Sequence, residues 1–277
     1  HTHNRNTMSQ PDLSRRRFLA ATAALGTAAV LPVSGCAASN QTNRPQSRQE
    51  NKNMIQNIVL VHGAFSDGSC YAEVIRRLHA QGLNAVAVQN PLTSLAADAQ
   101  SIRRTLDRMQ GKTLLVGHSW GGVPVSHAGG HENVAALLYL SAIVPDSGES
   151  AADALARQNA PMKGLPPDKN GEIVLPPEAF AHVMANGLPA EQSRVLAAVQ
   201  TPMAAAAFSD KIGTAAWHGK PSYYLLTEND NALPFAVQQR FAKQIGAKTR
   251  QIRSGHLSML AEPETVAAWM AEIATAV

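Results

Sequence analysis

The most informative segment of this 277-residue chain is Leu114-Leu115-Val116-Gly117-His118-Ser119-Trp120-Gly121-Gly122. An apolar run ends at a serine with a glycine two positions before it and another two positions after it. This pattern predicts a sharp turn from a strand into a helix, which holds the serine hydroxyl clear of the sheet beside a base. Gly-x-Ser-x-Gly alone arises by chance, but its strand-turn-helix context makes Ser119 the predicted nucleophile.

Five other short apolar runs have the same character as the run before Ser119. They cover residues 58–61, 85–88, 136–140, 223–226 and 249–252. Between the runs, apolar residues recur at helical spacing, as Ile102 and Leu106 do. This alternation predicts an α/β fold with a doubly wound, mostly parallel sheet, whose chemistry lies at the carboxyl ends of the strands.

The alternation is interrupted between Pro145 and about Gly219. This interval contains many alanines and scattered large apolar residues: Met162, Leu165, Leu175, Phe180, Val183, Met184, Leu188, Met203 and Phe208. It predicts a small helical cap over residues 145–219, inserted after the fourth strand and covering an adaptable apolar pocket. The alternative for most of these side chains is that they only pack the cap onto the body of the domain.

A serine nucleophile requires a general base, and the loop after the last strand is the place where such a sheet supplies it. His256 occupies that loop, in the sequence Arg253-Ser254-Gly255-His256-Leu257. Two other histidines, His62 and His118, flank the turns after the first and third strands, where we expect them to orient the backbone. His256 is therefore the predicted base.

The base in turn requires a carboxylate that fixes its tautomer and stabilises the imidazolium. Asp230 is the predicted acid, because Thr227-Glu228-Asn229-Asp230-Asn231 follows the penultimate strand. Glu228 is the second choice, since it leaves the strand earlier and has a turn-capping role as its alternative. Asp146, just past the fourth strand, is the third.

Attack by the serine creates an oxyanion, which needs two preorganised N–H donors. We expect one donor to be the amide of Trp120, directly after the nucleophile. The second is the amide of Ala64, in the loop after the first strand, where small residues let the backbone turn toward the site. A purely structural role is the alternative for this His-Gly turn.

Several classes of ligand are not expected. The sequence has no Gly-rich phosphate loop and no His/Cys/Asp group with metal-ligand spacing, so neither a cofactor nor a metal is predicted. The net charge of +4 comes from residues 1–52, which hold seven Lys/Arg and two Asp/Glu. Residues 53–277 hold seventeen Lys/Arg and eighteen Asp/Glu and are nearly neutral. A nucleic-acid partner is not expected either, because such proteins carry a basic face on their folded part.

The first 36 residues have the order of a bacterial export signal. Ser14-Arg15-Arg16-Arg17-Phe18-Leu19-Ala20 resembles the twin-arginine signal, and an uncharged stretch of sixteen residues follows it, which is shorter than a membrane span requires. Residues 1–36 are predicted to be a leader with a signal peptide, residues 37–53 a flexible polar linker, and residues 54–277 the folded domain. A helix docked on the domain is the alternative for the leader.

Val33-Ser34-Gly35-Cys36 resembles a bacterial lipobox, in which the cysteine carries the lipid. We expect a lipidated Cys36 to anchor the protein to a membrane, with a plain cleavage site as the alternative. Cys70 then has no structural disulfide partner in the mature domain. The predicted location is the periplasm, as a free protein or a membrane-anchored lipoprotein.

Four segments carry a resemblance to a known family. They are Val61-His62-Gly63-Ala64, Gly117-His118-Ser119-Trp120-Gly121-Gly122, Pro145-Asp146-Ser147-Gly148-Glu149-Ser150 and Thr227-Glu228-Asn229-Asp230. On these segments the chain resembles the α/β-hydrolase superfamily over roughly residues 55–277, and within it the branch of plant methylesterases, hydroxynitrile lyases and many bacterial esterases. The resemblance implies the α/β-hydrolase fold and supports Asp230 as the acid.

Two positions and one segment distinguish members of that branch. The lyases carry a lysine after the catalytic histidine and a threonine after the first-strand histidine, whereas this chain has the esterase-like Leu257 and Gly63. Family members often carry an aromatic Gly-Ala-Trp-x-Trp segment after the first turn, which Phe65-Ser66-Asp67-Gly68-Ser69-Cys70-Tyr71 replaces here. This departure concerns the substrate pocket and leaves the Ser-His-Asp set intact.

Together these features predict a cofactor-independent enzyme, a serine hydrolase of the carboxylesterase type. Its substrates are carboxylic esters of small apolar compounds, cleaved through an acyl-enzyme. The alternatives on the same triad are a hydroxynitrile lyase, a cofactor-free haloperoxidase and a hydrolase of C–C bonds. A binding protein with a dead site is the non-enzymatic alternative.

Overall fold

The computed structural model describes residues 54–160 and 165–277. In chain order its strands are Asn57–Val61 (β1), Asn84–Val88 (β2), Thr113–His118 (β3), Val134–Leu140 (β4), Glu172–Ile173 (β5), Met203–Ala204 (β6), Ser222–Thr227 (β7) and Lys248–Ile252 (β8). The six longer strands form the main sheet. Each of them coincides with one of the six apolar runs identified in the sequence.

The main sheet has the strand order β2-β1-β3-β4-β7-β8, and every neighbouring pair is parallel. The predicted doubly wound sheet is confirmed, and it is parallel throughout. Val61 at the end of β1 lies level with Val88 of β2 and Gly117 of β3. The residues that follow these strands therefore meet at one carboxyl edge, at the reversal of strand order where ligands bind.

Nine α-helices accompany the strands. They are Ala72–Ala80 (α1), Leu95–Leu106 (α2), Gly122–Ala128 (α3), Ala151–Arg157 (α4), Pro177–Val183 (α5), Ala190–Val199 (α6), Phe235–Gln244 (α7), Ser258–Ala261 (α8) and Pro263–Ala276 (α9). Short 3₁₀ turns cover Gly68–Tyr71, Ser119–Gly121, Ala205–Ser209 and Ala216–His218. This count refers only to residues 54–160 and 165–277.

The interior strands β1, β3, β4 and β7 are buried on both faces, which is why they read as nearly continuous apolar runs, whereas the edge strand β8 is exposed or half-buried and holds one apolar residue, Ile252. Val59 and Val61 of β1 pack in the core shared with α2, α3 and α7. Ile58 and Leu60 point to the other face and pack in the core shared with α1 and α9. Burying each such side chain stabilises the fold by roughly 1.5–3 kcal/mol. A one-residue slip of β1 would exchange these sets between the two faces.

The chain between β4 and β7 forms the helical cap, which contains α4, α5 and α6. It also holds the antiparallel pair β5–β6, in which Ile173 lies opposite Met203. Strands of two residues are too short to show an alternating pattern, so this pair was not predicted. The exact cap limits, 145 and 219, stay a prediction.

The predicted leader, residues 1–36, and the predicted linker, residues 37–53, lie outside the described residues, as does Cys36. The described part starts at Met54, the first residue of the predicted domain. Within that part, none of the helices has the length and apolar character needed to span a membrane.

Candidate active site

Ser119 lies at the turn between β3 and α3, with its backbone in the left-handed region at a φ of 52°. A Cβ added at Gly117 would lie 2.7 Å from the carbonyl oxygen of Gly121. One added at Gly121 would lie 2.7 Å from the carbonyl oxygen of Val61. Both glycines of the motif are therefore required by close backbone packing. The left-handed backbone of Ser119 is strained; such strain costs about 1–3 kcal/mol and clusters at functional sites.

His256 and Asp230 form a buried pair. The Nδ1 atom of His256 lies 2.7 Å from Oδ2 of Asp230, and both side chains are fully buried. Burial raises the pKa of Asp230, but the charge and hydrogen bond of His256, with further donors from Leu233 and Thr227, outweigh it and hold that pKa below its ordinary value. Asp230 is therefore an ionised partner that fixes the orientation of the His256 ring.

Two further side chains hold Asp230 in place. The hydroxyl of Thr227 donates to Oδ2 of Asp230 at 2.9 Å, and the Nε2 amide of Gln238 donates to the same oxygen at 3.1 Å. The other oxygen, Oδ1, accepts the backbone N–H groups of Ala232 and Leu233, each at 2.8 Å. The carboxylate thus has its lone pairs satisfied, and its position is fixed.

Gln238 also supports the site, although its role was not predicted from the sequence. It lies in α7, is fully buried, and accepts the Thr227 N–H at 2.9 Å while donating to the Leu233 carbonyl oxygen at 2.8 Å. The available signal was a polar residue between the apolar positions Val237 and Phe241 on the inward face of a predicted helix. A buried amide at such a position is retained only with partners.

The second ring nitrogen of His256 is not engaged by Asp230. Because Nδ1 of His256 is paired with Asp230, Nε2 is the atom left to accept a proton. That Nε2 atom is buried and has no hydrogen-bond partner among residues 54–160 and 165–277. Ser119 and His256 both line the same cavity. Hydrogen bonds between nucleophile and base are often long in ligand-free enzymes and tighten when substrate binds.

His118 and His62 have the orienting contacts expected of them. Burial lowers the pKa of His118 to about 3, so its ring is neutral, and Nε2–H donates to the carbonyl oxygen of His256 at 2.9 Å. The rings of His118 and His256 lie 4.6 Å apart between centroids. His62, whose pKa burial also lowers, donates from Nδ1 to the carbonyl oxygen of Gly63 at 2.9 Å.

The two alternative acids lie elsewhere. Glu228 accepts a hydrogen bond from Gln251 at 2.7 Å and lies 3.6 Å from Arg253. Asp146 pairs with His218 at 2.7 Å, with both side chains substantially exposed. Of the three predicted carboxylates, the structure brings only Asp230 to His256.

The predicted oxyanion donors lie beside the nucleophile. Trp120 follows Ser119 at the start of the helical turn, and Ala64 lies in the loop after β1; both line the cavity. A Cβ added at Gly63 would lie 2.8 Å from the Cβ of Ser119. The segment that carries Ala64 therefore approaches the serine closely, and glycine at position 63 allows this approach.

The cavity at this edge of the sheet has a volume of about 600 Å³. Its polar lining residues are Ser119, His256 and Asn231. The apolar lining comes from the body and the cap: Ala64, Phe65, Trp120, Ile143, Leu155, Ala160, Leu165, Ile173, Leu175, Ala179, Val183, Met184, Phe208, Ala232, Leu233 and Pro234. None of the described lining residues is Asp, Glu, Lys or Arg, so the described wall of the cavity is uncharged and mainly apolar.

Other reactive groups do not form a competing centre in the described part of the chain. No cluster of three or more His, Cys, Asp or Glu residues that could hold a metal occurs there. Cys70 is a buried free cysteine, and burial raises the pKa of its thiol to about 12, so the thiolate is absent at neutral pH.

The fold and the Ser119 turn define a known class of protein. A family model described as the alpha/beta hydrolase family matches residues 58–269, which is more than half of the chain. The chain belongs to the α/β hydrolase family.

Individual relatives agree with this assignment. The chain is 28% identical over 232 residues to alpha/beta hydrolase nvfD of Aspergillus novofumigatus, which covers 76% of this chain and 92% of the relative. It is 28% identical over 132 residues to a carbendazim hydrolyzing esterase of Nocardioides sp., a match that covers 43% of this chain and 52% of the relative. A solved structure of polyneuridine aldehyde esterase has a TM-score of 0.68 at 20% identity, covering 79% of this chain and 99% of that one. The predicted enzyme class is confirmed: the chain is an α/β hydrolase with esterase-type relatives.

Proposed function

We propose that this protein is a serine hydrolase that cleaves carboxylic esters of small apolar compounds through an acyl-enzyme. The observation that carries the proposal is the arrangement around Ser119. A strained turn holds this serine at the wall of a cavity that His256 also lines, and Nδ1 of His256 is paired with the buried Asp230. Serine, base and acid in this arrangement are the requirements of nucleophilic acyl transfer.

The proposed reaction begins with attack of Ser119 Oγ on the ester carbonyl carbon. The Oγ–H proton passes to His256 Nε2, and the carbonyl oxygen becomes an oxyanion held by the N–H groups of Ala64 and Trp120. The oxyanion collapses, the carbon–oxygen bond to the alcohol breaks, and the alcohol leaves with the proton from His256. Asp230 stabilises the imidazolium while it exists.

The second half of the reaction regenerates the enzyme. Water donates a proton to His256 Nε2 and attacks the acyl carbon. Collapse of the second oxyanion breaks the bond to Ser119 Oγ, which takes the proton back from His256, and the carboxylic acid leaves. In both halves the same atom, His256 Nε2, accepts the proton during attack and returns it during collapse, and it has no hydrogen-bond partner among the described residues that would compete.

The substrate class follows from the cavity lining. A charged acyl or alcohol group would lose its hydration without gaining an opposite charge, because the described lining residues carry none. A volume of about 600 Å³ lies within the range of pockets for small organic molecules. The sequence relative named as a carbendazim hydrolyzing esterase supports ester-type chemistry on small compounds for this chain.

The test is hydrolysis of p-nitrophenyl esters of rising acyl length by the wild type and by Ser119→Ala. We expect the wild type to turn over these esters and the variant to lose nearly all turnover with its fold retained. Ser69→Ala removes an exposed serine in the same domain and is the matched control, with activity unchanged. Ester hydrolysis retained by purified Ser119→Ala would contradict the proposal.

We further propose that the protein is exported by the twin-arginine route and anchored through a lipid on Cys36. The support for export is the order of basic, uncharged and polar segments in the first 36 residues, and the support for the lipid is the resemblance of Val33-Ser34-Gly35-Cys36 to a lipobox. Arg15→Lys combined with Arg16→Lys is expected to block export, and Cys36→Ser to move the protein from the membrane fraction to the soluble periplasmic fraction. Unchanged membrane association of Cys36→Ser would exclude the anchor.

A further inference from the structure

Asp98 is a buried carboxylate that the proposed reaction does not use. It lies in the first turn of α2, and its side chain points to the apolar side of that helix with Ala99 and Ile102. The residue has no solvent exposure. An unpaired buried carboxylate strongly destabilises a fold, so the role of Asp98 must be sought in its hydrogen-bond partners.

Three donors surround the Asp98 carboxylate. Oδ1 accepts the backbone N–H of Leu92 at 2.8 Å, and Oδ2 accepts the indole Nε1–H of Trp120 at 2.8 Å and the amide Nδ2–H of Asn90 at 3.2 Å. Burial raises the pKa of Asp98, and these three hydrogen bonds oppose the rise. All three partners are neutral, so the carboxylate orients them without transferring a proton to or from them.

These contacts reach both segments that carry the proposed oxyanion donors. Trp120 itself supplies one donor, its backbone N–H. Asn90 Nδ2 also lies 3.3 Å from the carbonyl oxygen of His62, two residues before Ala64. The two segments touch directly as well, since a Cβ at Gly121 would lie 2.8 Å from the same His62 oxygen. Asp98 therefore links the turn after β3 to the loop after β1.

We infer that Asp98 is a positioning residue for the oxyanion hole, fixing the spacing between the N–H groups of Ala64 and Trp120. This inference rests on the proposed function, because an oxyanion forms only if Ser119 attacks a carbonyl. Preorganised donors act on the charge that develops in the transition state, so disturbing them lowers kcat and leaves KM nearly unchanged.

Asp98→Asn tests the inference, because it replaces one acceptor oxygen with an N–H₂ group that faces donors. Removal of an oxyanion donor lowers kcat by about 10²–10³-fold, and a displaced donor should cost less. We therefore expect kcat per active site to fall by about 10- to 100-fold, with KM changed by less than about twofold. Active sites are counted by titration with a fluorophosphonate, so unfolded protein does not enter the rate.

Ser94→Ala is the matched control on the same helix. The Ser94 hydroxyl caps α2 by accepting the Ala97 N–H at 3.1 Å, and the cap has no hydrogen bond to Trp120. We expect this variant to lower the melting temperature and to leave kcat per titrated site unchanged. If it lowers kcat as much as Asp98→Asn does, the role of Asp98 is only to stabilise α2.

A second variant removes the same hydrogen bond from the other side. Trp120→Phe lacks the indole N–H, and we expect a loss of kcat similar to that of Asp98→Asn. The double variant should be no slower than the slower single variant, since both changes break one contact. If Asp98→Asn does not fold, Trp120→Phe still carries the test.

The outcomes separate this inference from the proposed function. Normal kcat in Asp98→Asn or in Trp120→Phe, beside an active wild type, would overturn the role of Asp98 and leave the serine hydrolase standing. Wild-type protein that neither hydrolyses esters nor reacts with the fluorophosphonate would overturn both, because no oxyanion would then form at Ser119.

Discussion

Two buried aspartates contact the site, and their surroundings differ. Asp230, after β7, faces His256, which gains a proton in the proposed reaction. Asp98, in α2, faces the neutral donors of Trp120, Asn90 and Leu92. The pKa of Asp230 is held below its ordinary value and that of Asp98 is raised above it. A buried carboxylate beside a proton acceptor serves charge stabilisation, whereas one beside neutral donors serves geometry.

The largest expected effect is the loss of the charge at Asp230. Asp230→Asn keeps the shape but presents an amide to His256 Nδ1, which favours the wrong tautomer; in serine hydrolase triads this change lowers kcat by about 10⁴-fold. The measurement is kcat per titrated site with a p-nitrophenyl ester. A loss that is no greater than that of Asp98→Asn would remove the distinction between the two aspartates.

Glu228→Gln is the control for this prediction. Glu228 lies two residues from Asp230 and contacts Gln251 and Arg253 rather than His256. We expect kcat within about twofold of the wild type, because exposed ion pairs contribute little, about 0–1 kcal/mol. A large loss of kcat in this variant would indicate that Glu228, rather than Asp230, is the acid.

An intermediate effect is expected at Gln238, which supports Asp230 from α7. Gln238→Leu leaves the Thr227 N–H and one Asp230 lone pair without this partner, which destabilises the fold by roughly 1–3 kcal/mol. The freed carboxylate should lower kcat by about tenfold, much less than Asp230→Asn does. Urea unfolding measures the change in the free energy of unfolding, and steady-state kinetics measures the change in kcat. An unchanged free energy of unfolding would show that water replaces the hydrogen bonds of the amide.

The smallest effect is a difference in pH dependence between the two aspartates. Because the folded pKa of Asp230 is below 3.8, its contribution to stability is present above that pH and is lost as pH falls through the folded value. For Asp98 the folded pKa is above 3.8, so its contribution is present below that pH and is lost as pH rises through the folded value.

This contrast is measured by urea unfolding of the wild type, Asp230→Asn and Asp98→Asn between about pH 2.5 and 7. The free energy of unfolding of the wild type minus that of Asp230→Asn should grow as pH rises. The same difference for Asp98→Asn should shrink. Differences that move in the same direction would contradict the opposite pKa shifts.

The sequence alone predicted the parts of the molecule that leave a local pattern. Interior strands buried on both faces are mainly apolar, so the runs of β1, β3, β4 and β7 were visible. The edge strand β8 was placed correctly although its sequence, Lys-Thr-Arg-Gln-Ile, is mostly polar and exposed. Ser119 lies in a turn where backbone atoms of Gly121 and Val61 leave no room for a side chain at positions 117 and 121. Both positions must therefore be glycine, and this makes the motif visible in the sequence. His256 and Asp230 follow from the position of their loops after the last two strands.

The parts that the sequence did not predict depend on contacts between distant segments. Asp98 and Gln238 lie on the inward faces of helices and differ from their neighbours only in polarity, while their partners Trp120 and Thr227 come from other elements. The pair β5–β6 forms because the cap brings Ile173 beside Met203. A polar residue at an apolar helical position is the signal that marks such sites.

The role of Ser119 as nucleophile is tested by identifying the residue that reacts with a fluorophosphonate. The protein is incubated with the probe, digested, and the modified peptide is mapped by mass spectrometry. The proposed mechanism predicts a single adduct on Ser119, absent in Ser119→Ala and formed far more slowly in His256→Ala. The absence of any adduct, or an adduct elsewhere that persists in Ser119→Ala, would contradict Ser119 as the nucleophile.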